Sequence, residues 1–391
     1  MYIFHVDVNS AYLSWSALKM LEEGSETDLR EIPSAVGGDK ASRHGIILAK
    51  STPAKKYGVK TAETLGEALR KCPQLVIVPP DREQYKRCSE AMFAILSDYS
   101  SCIERFSIDE GFLEYTGGGK LPKDSVEAAY AIKDRIKNEL GFTVNVGVSV
   151  NKILAKMGSE MEKPDKVHTL FPDEIESKMW PLPVGELFMV GKSSESSLRS
   201  LGIKTIGDLA NSDKRLIISI LKSHGELIWN YANGIDHSRV TPQEPESQKS
   251  VGNSITIDHD ITSQDEALAY ILQLSEKVAS RLRRLETKAS QISVNIRTSS
   301  FIDYSHQGKL DGYTDSTAKV YKTARELFIK CWRGEPIRLL GVSAGDLNYT
   351  GEEQMSLFDT REKEDDSKTD KVVDEIRERF GKDAIKLGRL V

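Results

Sequence analysis

The pattern of apolar and polar residues predicts a buried strand followed by a helix at the start of the chain. Residues 1–8 form a short apolar run that ends at an acid, and residues 9–22 place Tyr12 and Trp15 at helical spacing. The pattern then predicts helices over 81–99 and 126–140, a strand hairpin around Asp109, and a strand over 143–150. This order indicates an α+β sheet with helices on one face, with residues 12–75 as an insertion after the first strand.

The pattern changes twice further along the chain. Residues 171–240 read as short helices without strands, residues 241–250 form a polar linker, and residues 251–349 again alternate between strands and helices. Residues 350–391 form a highly charged tail with one apolar island, residues 354–358, and a final amphipathic helix. An apolar island in such a tail needs a reason, and we favour a pocket on a partner protein.

Composition narrows the class of protein. The 391 residues contain four cysteines, none in a Cys-x-x-Cys pair, which argues against a zinc site and a disulfide framework. The sequence shows neither a leader peptide nor an apolar stretch of membrane-spanning length, so we expect a soluble, cytoplasmic protein with no membrane partner. The net charge of −5 argues mildly against a nucleic-acid partner, although global charge can hide local basic patches.

The candidate chemistry lies in three acids. Asp109 and Glu110 are adjacent inside the apolar run of residues 103–113, and Asp7 closes the first strand. Side chains of adjacent strand residues point to opposite faces. Asp109 and Glu110 can therefore point in the same direction only if a turn or a bulge interrupts the strand. We therefore expect a hairpin bend that aims both acids at a shared cation, with Asp7 on a neighbouring strand.

Four motifs in order along the chain resemble the Y-family, translesion-type DNA polymerases of the DinB/UmuC group. Each motif alone is a modest signal, but chance explains poorly their joint occurrence with family-like spacing over nearly the whole chain. The motifs are Asp7-Val8-Asn9-Ser10-Ala11-Tyr12, Lys55-Lys56-Tyr57-Gly58-Val59-Lys60, Ser107-Ile108-Asp109-Glu110-Gly111-Phe112-Leu113, and Gly147-Val148-Ser149-Val150-Asn151-Lys152, continued through Ala155-Lys156 to Lys163-Pro164.

The resemblance implies a multidomain α+β fold, a right-hand polymerase with a ferredoxin-like palm, small fingers, a helix-hairpin-helix thumb and an α+β little finger. It also implies a low-fidelity, template-directed DNA polymerase that extends a primer 3′-end by phosphoryl transfer with two Mg²⁺ ions, in translesion synthesis and DNA repair. The partners would be primer–template DNA and deoxynucleoside triphosphates, and we expect a monomer. The domains implied are the palm (1–11 and 76–170), the fingers (12–75), the thumb (171–240), the linker (241–250), the little finger (251–349) and the tail (350–391).

The catalytic and metal-binding residues also follow from the resemblance. Asp7 and Asp109 would bridge both ions, Glu110 would hold one of them, and the carbonyl of Val8 would be an extra ligand. Oxygen ligands are the ones that Mg²⁺ prefers. The alternative is that these acids simply pair with nearby lysine or arginine side chains.

The resemblance assigns a second group of residues to the nucleotide. The backbone amides of Ser10 and Ala11 would face the triphosphate, and Lys163 would contact it. The ring of Tyr12 would leave no room for a 2′-hydroxyl group and so act as a steric gate against ribonucleotides. The alternative for Tyr12 is a core aromatic on its helix, and for Lys163 a solvated side chain.

The chain departs from a common family pattern at two positions in the fingers. Thr52 and Lys55 stand where many relatives carry a tyrosine and an arginine at the triphosphate. Threonine reaches less far than tyrosine, and lysine offers a point charge in place of a bidentate fork. We therefore expect triphosphate binding that is retained but altered in strength or geometry.

Three groups of residues would bind macromolecules. They are Val190, Gly191 and Lys192 in a thumb hairpin, Arg281, Arg283 and Arg284 in the little finger, and Gln354, Met355, Leu357 and Phe358 in the tail. The first two groups would contact DNA phosphates, which carry no sequence information, and the third resembles a sliding-clamp-binding peptide. The alternatives are an ordinary helical hairpin, a solvated helix face and a chance apolar pentapeptide.

Two other functions compete with a polymerase. One is a non-catalytic, clamp-tethered DNA-binding subunit on the same fold, against which the three acids argue. The other is a different nucleotide chemistry on a similar palm, such as cyclisation, against which the helical thumb, the little finger and the clamp-like peptide argue.

Overall fold

The fold is taken from a computed structural model of the chain. It describes residues 1–38, 45–119, 121–242, 248–349, 366–381 and 384–385. These residues form two compact units, the first from the N-terminus to residue 242 and the second from residue 248 onwards. None of the helices in the described residues has the length and apolar character that crossing a membrane requires.

The first unit begins with alternating strands and helices and ends in a helical region. Several of its helices begin where a polar side chain accepts a hydrogen bond from an amide of the first turn. Among the elements that follow, Asp81 caps α4, Asp124 caps α5 and Asn151 caps α6. The elements are β1 (Tyr2–Val8), α1 (Ala11–Glu22), β2 (Ser34–Gly37), β3 (Ile47–Lys50), α2 (Thr52–Lys56), α3 (Leu65–Lys71), β4 (Val76–Val78), α4 (Arg82–Ser97), β5 (Ile103–Arg105), β6 (Glu110–Tyr115), α5 (Ser125–Leu140), β7 (Val144–Ser149), α6 (Lys152–Glu160), β8 (Val167–Thr169), α7 (Lys192–Ser200), α8 (Ile206–Ala210) and α9 (Lys214–Ala232).

A five-stranded sheet in the order β5-β6-β1-β7-β8 forms the centre of the first unit. Strand β1 is antiparallel to both of its neighbours. Its residues Phe4, Val6 and Val8 belong to an apolar core to which α4 and α5 contribute, so His5 and Asp7 project from the opposite face. Helix α6 covers that opposite face. The helices α4 and α5 lie together on one face, as the pattern predicts, whereas α6, which the pattern does not predict, covers the other.

Gly147 of β7 allows α6 to approach the sheet closely. A Cβ atom at this position would lie 1.9 Å from the carbonyl oxygen of Ala155 and 2.5 Å from the amide nitrogen of Ser159. Only glycine leaves room for another backbone segment at such a distance. This close packing brings the side chains of α6 within hydrogen-bonding distance of β1 and β6.

A smaller, three-stranded sheet in the order β3-β2-β4 lies between α1 and α4 in the sequence. Strand β4 pairs in parallel with β2. The strand Val76–Val78 therefore belongs to the sheet of the predicted fingers and not to that of the predicted palm. The region that follows β8 consists of helices and turns, as predicted, and has its own core around Leu198, Ile206 and Ile217.

The second unit is an antiparallel sheet in the order β11-β10-β12-β9 with two long helices on one face. Its core joins both helices to the sheet, for example through Ile271, Val294 and Phe328. This is the second α+β region that the sequence predicts. Its elements are β9 (Ser250–Ile261), α10 (Gln264–Arg284), β10 (Lys288–Thr298), β11 (Asp303–Thr314), α11 (Thr317–Cys331), β12 (Ile337–Asn348) and α12 (Asp366–Phe380).

Ion pairs attach α12, the predicted terminal helix, to α10. Arg283 Nε donates to Asp374 Oδ2 at 2.6 Å, and Arg283 Nη1 donates to Asp370 Oδ2 at 3.2 Å. Arg377 Nη2 lies 2.6 Å from Glu276 Oε1. The Arg283 side chain is only 7% exposed, and a buried charge of this kind is stable only when it is paired.

We expect the substitution Gly147→Ala to destabilise the first unit by about 3 kcal/mol, because the added methyl group would overlap backbone atoms of α6 that cannot move cheaply. The matched control is Gly158→Ala in α6, where a Cβ would meet its nearest atom at 3.5 Å. That substitution should be neutral or stabilising by up to about 1 kcal/mol, since alanine favours helix over glycine. Urea denaturation of both variants makes the comparison, and equal stability of the two would contradict the close approach.

Candidate active site

The register of the central sheet brings the three candidate acids together. In the antiparallel pair of β1 and β6, Asp7 lies directly opposite Glu110. Asp109 precedes β6 in the hairpin that joins it to β5, and its carbonyl oxygen accepts a hydrogen bond of 3.0 Å from the amide of Val8. The expectation that Asp7 lies on a strand next to an Asp-Glu hairpin is therefore confirmed.

Glu110 is held by a lysine and a histidine. Lys156 Nζ donates to Glu110 Oε2 at 2.5 Å, and His5 Nε2 lies 3.0 Å from the same oxygen. Burial acts to raise the pKa of Glu110, but the contacts with His5 and Lys156 outweigh it and lower the pKa to about 2. Glu110 is therefore ionised throughout the physiological pH range.

His5 lies beside Glu110 at a position that is inaccessible to solvent. Burial lowers the pKa of His5, and its Nδ1 atom makes a hydrogen bond of 2.7 Å with the hydroxyl group of Ser159. The hydroxyl group of Ser159 donates its hydrogen to the carbonyl of Lys156 at 2.8 Å, so Nδ1 of His5 is the donor in the bond to Ser159, while Nε2 lies 3.0 Å from Glu110 without a well-aligned hydrogen bond. The sequence prediction missed His5, although its place two residues before Asp7 on the same strand face could have revealed it.

Asp7 has a different environment from Glu110. Lys163 Nζ donates to Asp7 Oδ2 at 2.5 Å and also lies 2.8 Å from Glu160 Oε2. Burial raises the pKa of Asp7 to about 6, because the contact with Lys163 offsets only part of the cost of burying the charge. The carboxylate of Asp7 thus changes its protonation state close to neutral pH.

The carboxylate oxygens fit a hard cation, but lysines already contact them. Among the residues that the structure describes, no three His, Cys, Asp or Glu side chains are arranged to hold a metal ion as they stand. One oxygen of Asp7 and one of Glu110 contact an ammonium group, and Asp109 accepts a hydrogen bond from Ser107. Carboxylates on adjacent strands are nevertheless the ligand type that Mg²⁺ prefers. Ion pairing and metal binding, the two alternatives from the sequence, therefore concern the same atoms.

Tyr12 lies in the first turn of α1, beside the acids. Its ring stacks on Tyr85 with 4.7 Å between the centroids and 19° between the planes. Burial raises the pKa of Tyr12, and the charge of Asp109 raises it further, so the hydroxyl group lies within electrostatic reach of Asp109. Ser10, just before the helix, is exposed and has a left-handed backbone with φ of 51°, whereas Ala11 is buried.

A lysine that the sequence prediction did not include lies beside the two predicted nucleotide-binding residues of the fingers. Thr52 and Lys55 lie in α2 and are both exposed. Lys50 ends β3 two residues before α2 begins. Burial lowers the pKa of Lys50, and the charge of Lys55 lowers it further. Two lysines that repel each other in this way favour an anion beside them.

The predicted thumb contact needs a correction at one of its three residues. Val190 is buried, and its amide donates to the carbonyl of Leu187 at 2.9 Å. The prediction that this amide contacts a phosphate is therefore wrong. Gly191 caps α7 at a position where an added Cβ atom would meet nothing within 4 Å, and Lys192 is exposed. The amides of a first helical turn have no partner within the helix, so the two residues can still donate to a phosphate.

The predicted basic cluster of the second unit needs a correction. The Arg283 side chain is 7% exposed and pairs with two aspartates of α12, so the prediction that it contacts DNA is wrong. The sequence could not reveal this, because the partners lie about 90 residues further along the chain. Arg281 and Arg284 are exposed, and Arg281 Nη1 donates to the carbonyl of Gly252 at 2.9 Å.

The face of the second sheet that lies away from α10 and α11 is a surface that the sequence prediction missed. Its residues alternate with the buried core positions along each strand. The middle of this face is small or polar and uncharged, whereas Lys309 lies towards one end and the ion pair of Arg297 and Asp303 towards the other. Two neighbouring rows are Gln307, Ser293, Ser343 and Gly252, and Ser305, Asn295, Gly341 and Ser254.

Comparisons with known proteins agree on one family. A model described as the impB/mucB/samB family matches residues 6–160, a model of the C-terminal domain of that family matches residues 248–357, and a model described as the IMS family HHH motif matches residues 172–203. These three matches fall on the acidic site, the second unit and the helical region. The predicted helix-hairpin-helix thumb is thereby confirmed as a motif.

Individual relatives cover almost the whole chain. The chain is 48% identical to DNA polymerase IV of Clostridium acetobutylicum, over 98% of this chain and 96% of that protein. It is 36% identical to DNA polymerase IV 1 of Bacillus subtilis, over 99% of this chain and 92% of that protein. Among solved structures, a Y-family DNA polymerase chimera matches with a TM-score of 0.76 and 23% identity, over 88% of this chain and 99% of that one. The last match confirms the predicted α+β right-hand architecture.

We expect Asp7→Asn to stabilise the metal-free protein at pH 8 by about 1–3 kcal/mol, because a shift of about two pKa units corresponds to this range. The folded-state pKa of about 6 lies above the ordinary value of 3.8, so the folded protein binds the proton more tightly than the unfolded chain. The stability that this group contributes is therefore present at low pH and lost as the pH rises from 3.8 to about 6.

The measurement is urea denaturation in the presence of a chelator at pH 5 and pH 8. The gain from Asp7→Asn should be larger at pH 8. Asp109→Asn serves as the control and should change stability by no more than about 0.5 kcal/mol. A gain that does not grow with pH would contradict the cost assigned to the buried Asp7 charge.

Proposed function

Because the chain belongs to the Y-family, DinB-like DNA polymerases, we propose that Asp7, Asp109 and Glu110 carry its catalysis. The protein is a DNA-directed DNA polymerase of low fidelity that acts in translesion synthesis. One observation supports the assignment most strongly. The register of β1 and β6 sets Asp7 opposite Glu110, with Asp109 next to it in the hairpin.

The reaction joins the primer 3′-oxygen to the α-phosphorus of a deoxynucleoside triphosphate. The 3′-hydroxyl group gives its proton to solvent as the new P–O bond forms, and pyrophosphate leaves with the electron pair of the broken P–O bond. Two Mg²⁺ ions, held by Asp7, Asp109, Glu110 and the carbonyl of Val8, would neutralise the charge on the attacking and leaving oxygens. Lys156 keeps Glu110 ionised for this task, and Asp7 is ionised above a pH of about 6.

Tyr12 is the steric gate in this proposal. The ring stacks on Tyr85, and this contact favours the orientation in which the ring would exclude a 2′-hydroxyl group. Its position beside Asp109 puts it next to the acids that would hold the triphosphate ions. The partly buried ring thus fulfils a packing role and a selective role together.

The triphosphate contacts in this proposal come from three segments. They are the backbone amides of Ser10 and Ala11, the side chains of Thr52 and Lys55 in α2, and Lys163 after α6. Lys50 adds a positive charge beside Lys55. This second lysine compensates for the arginine that many relatives carry at the position of Lys55.

DNA would be bound through backbone and small polar groups. In the first unit, Gly191 and Lys192 would offer amides to the phosphates of the primer–template duplex. In the second unit, the side chains of Arg281 and Arg284 and the two uncharged rows on the open face of the sheet would contact phosphates. Hydroxyl and amide groups can contact phosphates of any sequence, which suits an enzyme that copies any template.

A sliding clamp is the proposed partner of the tail, and this part of the proposal depends on the sequence alone. Its contact residues, Gln354, Met355, Leu357 and Phe358, lie outside the described residues. Binding to a clamp would hold the polymerase at the primer end at a high effective concentration. This tethering would offset the weak grip on DNA that is expected from a chain with a net charge of −5.

Primer extension tests the catalytic assignment. The purified protein should extend a primer in the presence of Mg²⁺, and Asp109→Ala should reduce the rate by more than about 100-fold, because an electrostatic group at the reacting phosphate is lost. Asp173→Ala, at an exposed position outside the site, should leave the rate unchanged. No extension by the native protein would refute the polymerase activity, and undiminished extension by Asp109→Ala would refute the site.

Competition between ribonucleotides and deoxynucleotides tests the steric gate. In Tyr12→Ala, the preference for deoxynucleotides should fall by at least about 10-fold, since a pocket that loses a large side chain discriminates poorly by size. Tyr12→Phe keeps the ring and should keep the preference. If Tyr12→Ala discriminates as well as the native protein, Tyr12 is a core residue only.

A further inference from the structure

We propose that Lys163 is an exchangeable counter-ion of the metal site, which neutralises Asp7 in the metal-free enzyme and transfers to the triphosphate when Mg²⁺ and nucleotide bind. This inference depends on the proposed function, because it assumes that Asp7 is a metal ligand. It adds a step to that function. Lys163 and the metal ion compete for the same carboxylate, and nucleotide binding relieves the competition.

The first support is the contact between Lys163 and Asp7. The ammonium nitrogen lies 2.5 Å from Asp7 Oδ2, and the Asp7 side chain is only 13% exposed. An ammonium group and a divalent cation on one carboxylate repel each other strongly at such distances, because a partly buried site screens charge less than water does. Metal binding at Asp7 therefore requires Lys163 to move.

The second support is the contrast between Lys163 and Lys156, the lysine on Glu110. The Lys156 side chain is 10% exposed, and its ammonium group lies 5.4 Å and 5.2 Å from the ring centroids of Phe106 and Phe188. These surroundings fix Lys156 on Glu110, so it acts as a positioning residue.

Lys163, in contrast, has the means to change partner. Its side chain is 32% exposed, and Glu160 already provides a second acceptor at 2.8 Å. A lysine has a flexible stem with four carbons, so its ammonium group can leave Asp7 while it keeps Glu160. Lys156 is thus the fixed counter-ion of Glu110, and Lys163 is the exchangeable counter-ion of Asp7.

Removal of the Lys163 charge should change two affinities in opposite directions. The metal should bind more tightly without nucleotide, because its competitor is gone. The nucleotide should bind more weakly, because a triphosphate contact is lost. A lysine with a merely structural role would weaken both or neither.

The experiment measures binding of Mn²⁺ alone to the full-length chain by the electron paramagnetic resonance signal of the free ion. Lys163→Met keeps the stem without the charge and should bind Mn²⁺ about three- to tenfold more tightly than the native protein, the scale of a partly exposed ion pair. The matched control is Lys166→Met, which removes the same charge from the same segment. Lys166 is 49% exposed and lies 3.6 Å from Glu162, so its Mn²⁺ affinity should change by less than about twofold.

The outcomes separate the exchange from the proposed function. Unchanged or weaker Mn²⁺ binding by Lys163→Met, or equal tightening by Lys166→Met, overturns the exchange. Tighter Mn²⁺ binding with unchanged affinity for a deoxynucleoside triphosphate in the presence of Ca²⁺ overturns the transfer to the triphosphate. Asp109→Asn is the independent check, since it should weaken Mn²⁺ binding. If it does not, the metal site of the proposed function itself is refuted.

Discussion

The charge of two partly buried carboxylates is the constraint on which the rest of the site depends. Asp7 and Glu110 lie opposite each other on neighbouring strands, where their negative charges repel and burial disfavours ionisation. Lysines of α6 and of the segment after it compensate this charge. Their reach depends on the close approach of α6 to the sheet, which Gly147 allows. A single glycine in β7 is thus linked, through the packing of one helix, to the state of both acids.

The two carboxylates are compensated unequally, and this difference connects structure to function. Glu110 has two fixed neighbours and a pKa lowered to about 2, whereas Asp7 has one movable neighbour and a pKa raised to about 6. Glu110 thus provides a permanent charge around which substrate can be oriented, and the charge of Asp7 responds to ligands. The uncompensated part of the Asp7 charge destabilises the fold, as is common where a protein holds groups ready for chemistry.

Most of the helices and strands, and the three acids, could be predicted from the sequence, because they depend on local patterns. The apolar run around Asp109 and Glu110 predicted a hairpin, and the run before Asp7 predicted its neighbouring strand. The partners of charged groups could not be predicted in the same way. In the sequence, Arg283 belongs to a basic cluster that is expected to be exposed, but in the structure it pairs with two aspartates of α12. The amide of Val190 is expected from the sequence to contact a phosphate, but it donates to the carbonyl of Leu187. Such pairings arise from tertiary contacts, which single-sequence patterns do not encode.

The most direct test of this account is a crystal structure of the enzyme with primer–template DNA, an unreactive deoxynucleotide analogue and Mn²⁺, measured at the manganese absorption edge. Anomalous peaks are expected at about 2.0–2.5 Å from carboxylate oxygens of Asp7, Asp109 and Glu110. The Lys163 ammonium group is also expected to have left Asp7 for the triphosphate while Lys156 remains on Glu110. Manganese bound elsewhere, or Lys163 still on Asp7 beside a bound ion, would contradict this account.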